Sequence, residues 1–169
     1  DVRCVQHDRA AAAAPSPRRR AGRPGGRPGQ VRCDEQLRRG KHLLPDAART
    51  LGQPIKVLVN NASIFEYDTV QTATKQSWDR HIGSNLRAPF VLTQALAEQA
   101  PPADLDDMGE PVASSLVINM IDQRVRKLTP EFMTYTIAKM GLWAFTQTAA
   151  QGLAPHVRVN AIGPGPTLQ

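Results

Sequence analysis

The sequence predicts an α/β fold, a parallel sheet with flanking helices, on two observations. Short β-branched apolar runs alternate along the chain with longer stretches of helical period. The first such run ends on polar Asn60 and Asn61, as a parallel strand buried on both faces does at its carboxyl edge. The resulting order of strand, helix, strand, helix, strand calls for parallel pairing with right-handed crossovers.

Taken in order, residues 43–51 close a helix and residues 55–59 form a short strand. The next helix starts near Thr74 and runs to about Gln99, because Trp78, Ile82, Asn85, Pro89, Thr93 and Leu96 recur at helical spacing. Asn85 is thereby a polar residue on a largely apolar stripe. Residues 113–120 read as the second strand. Thr129 and Pro130 supply a cap and first position for a helix reaching about Leu153, and residues 157–161 form the third strand. The catalytic loops of such a sheet lie at the carboxyl ends of its strands, here residues 60–65, 121–129 and 163–168.

Charge divides the chain. Its 169 residues carry a net +6, yet residues 1–50 alone hold +7 and the remainder −1. Residues 1–42 form a basic leader rich in Arg, Pro, Gly and Ala, with few large apolar residues before Leu37, and residues 43–169 form the folding unit. Such a leader cannot bury enough surface to offset chain entropy, so disorder is expected through about Asp34. An arginine-rich arm for nucleic acid is one reading, but the aromatics that would stack bases are missing from it. An out-of-frame or misread start joined to a genuine coding sequence near Leu43 is the reading favoured here.

The chemistry is carried by Tyr135 and Lys139, one helical turn apart, with Asp122 just past the second strand. Side chains at i and i+4 of a helix stand one above the other. An ammonium about 4 Å from a phenol contributes about 4 kcal/mol at an effective dielectric of ~20, enough to lower a pKa near 10 by about three. Such a pair suits acid/base work on a carbonyl or imine.

Alone this pair is a weak signal, but it has company. Val57-Leu-Val-Asn-Asn-Ala-Ser63, Ser84-Asn-Leu86, Ser115-Leu-Val-Ile-Asn-Met-Ile-Asp122 and Arg158-Val-Asn-Ala-Ile-Gly-Pro-Gly165 stand around it in order. Together they resemble the short-chain dehydrogenase/reductase family, over about residues 43–169. The resemblance implies a Rossmann-like parallel sheet, here missing its first strands and last strand. It also implies an NAD(P)H-dependent oxidoreductase. The glycine-rich turn that opens such a domain has no counterpart, since Gly22 to Gly29 alternate with Arg and Pro and follow no apolar strand.

Where the family usually has a serine, this chain has Asp122. That departure, with Asn61-Ala-Ser-Ile-Phe65, is similar to the pteridine and dihydropterin reductases of the family. A carboxyl group can hold an aminopyrimidine-like edge or help protonate a ring nitrogen, whereas a serine hydroxyl suits a carbonyl oxygen. By resemblance Tyr135 is the proton donor, and Lys139 lowers its pKa and holds the nicotinamide ribose. Asn85 holds a water that links Lys139 to solvent. Asp122 positions the substrate and Phe65 stacks on its ring. Asn61, Ala62 and Ser63 line the cofactor ribose, and the backbone of Gly163, Pro164 and Gly165 borders the nicotinamide. NADPH is the cofactor implied, with NADH as the alternative. A small pterin-like substrate and a homodimer or homotetramer follow from the same likeness.

Each role has a plainer competitor. Phe65 could simply pack its loop, Asn85 could bond a neighbouring backbone carbonyl, and Asp122 could cap a turn or pair with Arg124 or Arg126. Two rival functions also stand. One is a ketone reductase or alcohol dehydrogenase of the same family; the other is a noncatalytic fragment with a basic nucleic-acid-binding arm. The four histidines are scattered and the two cysteines, Cys4 and Cys33, lie in the leader, so no zinc spacing appears. No run is long enough to span a bilayer, and a cytoplasmic enzyme is the default.

Overall fold

The computed structural model describes residues 42–165. Readings made for the leader, and for residues 166–168, lie outside the described residues. Helix α1 covers residues 42–51. It is followed by β1 (Val57–Asn60), α2 (Lys75–Ile82), a π-helical turn (Gly83–Arg87) and α3 (Ala88–Gln99). Two short strands follow, β2 (Asp104–Leu105) and β3 (Pro111–Val112), then β4 (Ser115–Met120), a 3₁₀ turn (Gln123–Val125), α4 (Met133–Leu153) and β5 (Val157–Ile162).

The main sheet has the order β1-β4-β5, and both pairings are parallel, Val57 lying opposite Leu116 and Ser115 opposite Val157. This is the Rossmann-like architecture the sequence predicts. Its core joins Leu44, Ala95, Leu96, Val117, Val157 and Val159, so α1 and α3 pack on the sheet. β4 is the central strand and buries every second residue, Ser115, Val117 and Asn119. β1 leaves Val57 and Val59 more than half exposed, consistent with its place at the sheet edge.

α2, the π turn and α3 make one continuous helical run that begins where expected. Thr74 caps it through a reciprocal capping box with Ser77. Along the expected stripe, Asn85, Pro89, Thr93 and Leu96 are buried, whereas Trp78 is 44% exposed. The π turn is not visible in the periodicity. It widens the helix by one residue per turn at Asn85, a device found often at functional sites.

One element adds to the expected order, and one expectation is corrected. A β2–β3 antiparallel hairpin interrupts the α3–β4 connection, its turn held by Asp106, whose carboxylate accepts from the backbone N–H groups of Met108 and Glu110. Helix α4 begins at Met133, three residues later than Pro130. Thr129 is drawn away from capping, because its hydroxyl accepts from the Arg124 guanidinium and donates to the carbonyl of Glu131. No helix among the described residues is long and apolar enough to cross a membrane.

Candidate active site

Parallel pairing puts the ends of β1, β4 and β5 on one edge, and α4 delivers Tyr135 and Lys139 to it. The Tyr135 hydroxyl donates to Asp122 Oδ2 at 2.9 Å. The other carboxylate oxygen, Oδ1, accepts from the backbone N–H of Arg124 at 2.8 Å and caps the 3₁₀ turn. Asp122 therefore does both things the sequence left open: it caps a turn with one oxygen and faces the phenol with the other. Ser115 lies buried at the start of β4, and the Ser114 hydroxyl donates to the carbonyl of Pro101, so neither serine reaches this edge.

Burial raises the Tyr135 phenol above its ordinary value, and the hydrogen bond to Asp122 and its negative charge raise it further. The Arg124 charge and the Ser63 hydroxyl pull the other way. Lowering by Lys139, expected from the i, i+4 spacing, is not what this geometry produces. The ammonium donates to the carbonyl of Met120 at 2.7 Å and lies 5.7 Å from the Tyr135 ring centroid. Burial pushes the Lys139 pKa down, while Asp122 partly restores it. The phenol thus holds its proton at neutral pH, the state a proton donor needs.

Asn85 is 1% exposed. Its Oδ1 accepts from the Ile64 N–H at 2.9 Å and its Nδ2 donates to the Ile64 carbonyl at 2.8 Å. Both ends of the amide are spent on the backbone of one residue, Ile64, between Ser63 and Phe65. The side chain is a tether for that loop, and any water that Asn85 holds must use its backbone, its second amide N–H or a remaining lone pair.

Phe65 is 54% exposed, stacks on Phe132 with centroids 4.1 Å apart and rings 7° from parallel, and meets Tyr135 edge-on at 4.7 Å. Phe132 adopts φ 55°, ψ 47°, a left-handed conformation that costs a bulky residue about 1–3 kcal/mol. Stacking on Phe65, an edge contact with Tyr67 at 5.4 Å and the Arg124 guanidinium 4.7 Å from its ring centre hold it there. Asn61, Ala62 and Ser63 lie exposed just past β1 and Gly163, Pro164 and Gly165 just past β5, on the edge expected for them.

Three further residues escaped the sequence reading. Asp68, Thr134 and His81 are each at most 2% exposed and joined by hydrogen bonds beside Tyr135. His81 carried a usable signal, since it stands four residues before Asn85 in the same helical run. Asp68 carried none. Burial by itself would raise the Asp68 carboxyl, but hydrogen bonds from the Thr134 hydroxyl and backbone N–H hold it below 3.8. Because the folded value is the depressed one, the stabilisation is complete above that pH and is lost as pH falls through the lower value. Urea midpoints measured between pH 5 and pH 3 should therefore fall less steeply in Asp68→Asn than in the parent chain.

Among the described residues no group of three or more His, Cys, Asp or Glu could hold a metal. The donor set does fit a nicotinamide cofactor. Lys139 is 3% exposed, and its ammonium, with three N–H groups, spends one on Met120 among the described residues. Two remain for a diol.

The family model described as short chain dehydrogenase matches residues 10–168. The chain belongs to the short-chain dehydrogenase family. The match starts upstream of the Leu43 boundary drawn from the motifs. Among its relatives, a protein described as "Probable galactose dehydrogenase GalD" from Rhizobium meliloti is 34% identical over 121 residues. That alignment covers 71% of this chain and 43% of the relative. Galactitol 2-dehydrogenase of Agrobacterium fabrum is 31% identical over 112 residues, covering 66% and 41%. The crystal structure of FolM alternative dihydrofolate reductase 1 from Brucella canis, complexed with NADP, is 44% identical with a TM-score of 0.66, covering 76% of this chain and 49% of that one. The Brucella suis structure of the same name matches equally, covering 50% of that chain. This chain thus spans about half the length of these relatives.

Proposed function

We propose that the protein is an NADPH-dependent reductase of a pterin or folate-like ring C=N, with NADH as the alternative cofactor. The observation that carries this reading is the 2.9 Å hydrogen bond from Tyr135 to Asp122, a carboxylate set directly beside the proton donor. The 44% identity to NADP-bound FolM structures supports the same substrate class.

When bound, a reduced nicotinamide would supply the hydride for the ring carbon. The proton for the ring nitrogen comes from the Tyr135 hydroxyl, whose O–H bond breaks as the N–H bond forms. Asp122 accepts from an amino or protonated ring edge, taking over the acceptor role it now plays toward the phenol. Phe65 offers an exposed aromatic face for a flat ring. Lys139 would hold the ribose hydroxyls with its two remaining N–H groups. Asn61, Ala62 and Ser63 would line that ribose, and the backbone of Gly163, Pro164 and Gly165 would border the nicotinamide. A cytoplasmic location and a homodimer or homotetramer belong to the same reading; Phe90 of α3 and Phe145 of α4, their rings in contact at 5.0 Å, line an apolar groove on that face.

Dihydropterin-dependent oxidation of NADPH, followed at the nicotinamide absorbance, tests the substrate. Asp122→Ala should lower kcat/KM for the dihydropterin by about 10²-fold or more, in the range for a positioned acid/base group. Equal turnover of simple ketones by parent and variant would sink the assignment. It would favour the second reading, a carbonyl or alcohol oxidoreductase, which the dehydrogenase names of the sequence relatives support.

A further inference from the structure

We propose that Asp68, Thr134 and His81 form a directional hydrogen-bond relay that positions the Tyr135 hydroxyl against Asp122. The proposal rests on Tyr135 as proton donor, and on nothing about the substrate.

The relay's polarity follows from its one fixed end. The Glu66 backbone N–H donates to His81 Nε2 at 3.1 Å, so that nitrogen carries no proton. Nδ1 then bears the hydrogen and donates to Thr134 Oγ1 at 2.7 Å. The threonine hydroxyl, having accepted, turns its own hydrogen to Asp68 Oδ2 at 2.5 Å. Asp68 Oδ1 accepts from the Thr134 backbone N–H at 3.1 Å, and its carbonyl accepts from Met133 N–H at 3.3 Å. Only an acceptor fits at the Asp68 end. Every buried polar atom along the path is paired, and such closed networks rigidify what they join.

What they join is the first turn of α4. Phe132, at the cap position, makes no side-chain cap hydrogen bond, so the helix draws its capping acceptors from a loop 66 residues earlier in the chain. The next residue along is Tyr135. Its ring lies between Phe65 at 4.7 Å and His81 at 5.9 Å, both edge-on. Those rings limit sideways movement of the phenol. The motion they leave is a slide or rotation of the helix start, which would carry the hydroxyl away from Asp122. Clamping Thr134 by both its backbone and its side chain removes that motion. The loop that presents Phe65, the helix that presents His81 and the helix that presents Tyr135 are thus locked at one point. A displacement of about 1 Å at a reacting atom can cost ~10²-fold in rate, so this placement bears on catalysis and not only on stability.

The chain has two tyrosines, Tyr67 and Tyr135, which makes the phenol directly observable. With tyrosine labelled by ¹³C at Cζ, the two signals are assigned by Tyr67→Phe and recorded at neutral pH without cofactor or substrate. Tyr67 is 62% exposed and serves as the solvated reference. Thr134→Val keeps the shape and deletes the relay; it should move the Tyr135 signal toward that of Tyr67, and Thr134→Ser should return it. A Tyr135 signal that stays in place in a Thr134→Val chain with parental circular dichroism would overturn the proposal. If that variant does not fold, Asp68→Asn makes the same test. It keeps a capping acceptor but turns a donor toward a hydroxyl already facing one, and an unmoved signal there overturns the proposal equally. Since neither substrate nor cofactor is present, an error in the substrate assignment leaves this outcome untouched.

Discussion

Tyr135→Phe is expected to reduce turnover by about 10²–10⁴-fold, the range for losing a positioned general acid. The substitution removes one oxygen and keeps the ring between Phe65 and His81, so the apolar packing survives. Asp122 Oδ2 loses its donor, and a hydrogen bond to a charged group is worth about 1.5–3 kcal/mol, which bounds the loss of stability. Cofactor affinity should fall far less than turnover, because Lys139 stays anchored to the Met120 carbonyl. Steady-state oxidation of NADPH beside a fluorescence titration of the nucleotide separates the two quantities. Turnover within severalfold of the parent would place the proton donor elsewhere in the site.

Asn85→Ala should lower stability by about 2–4 kcal/mol, measured by urea unfolding. It strands the N–H of Ile64 and leaves its C=O with only the 3.4 Å bond from the Ser63 hydroxyl; a stranded group costs about 1–3 kcal/mol, with the lower end applying because Ile64 is only half-buried. Turnover should fall as well, because the freed peptide lies between Ser63, whose hydroxyl acts on the Tyr135 phenol, and Phe65, which packs on its ring. Asn85→Asp is the informative control. It restores an acceptor for the Ile64 N–H but turns a carboxylate oxygen toward the Ile64 carbonyl, so it should rescue only part of the loss. A parental urea midpoint in Asn85→Ala would show that the tether contributes nothing.

Much of the architecture was legible because it is periodic. The strands at residues 57–60 and 115–120 are runs rich in branched apolar residues, that at 157–162 alternates Val with polar residues, and the helical run repeats its buried face from His81 to Leu96. The pairing of Tyr135 with Asp122 could likewise be anticipated, since a residue just past a strand and a residue on the following helix reach the same sheet edge. The partner of Lys139 could not. Spacing placed the ammonium near the phenol, but a backbone carbonyl at the end of β4 competes for it, and that carbonyl has no side-chain identity to read.

By itself the amino-acid sequence determined the α/β class, the strand order along the chain and the residues Tyr135, Lys139 and Asp122, because those depend on local period and short spacing. Only the tertiary structure decided where α4 begins, that Asn85 sits in a π turn clamped to Ile64, and that Asp68, Thr134 and His81 share one network. Those features rest on hydrogen bonds between residues far apart in the chain, made by single polar side chains with no repeat to announce them. A buried polar atom takes whichever partner the packed elements bring within about 3 Å, and that choice exists only once the sheet has formed.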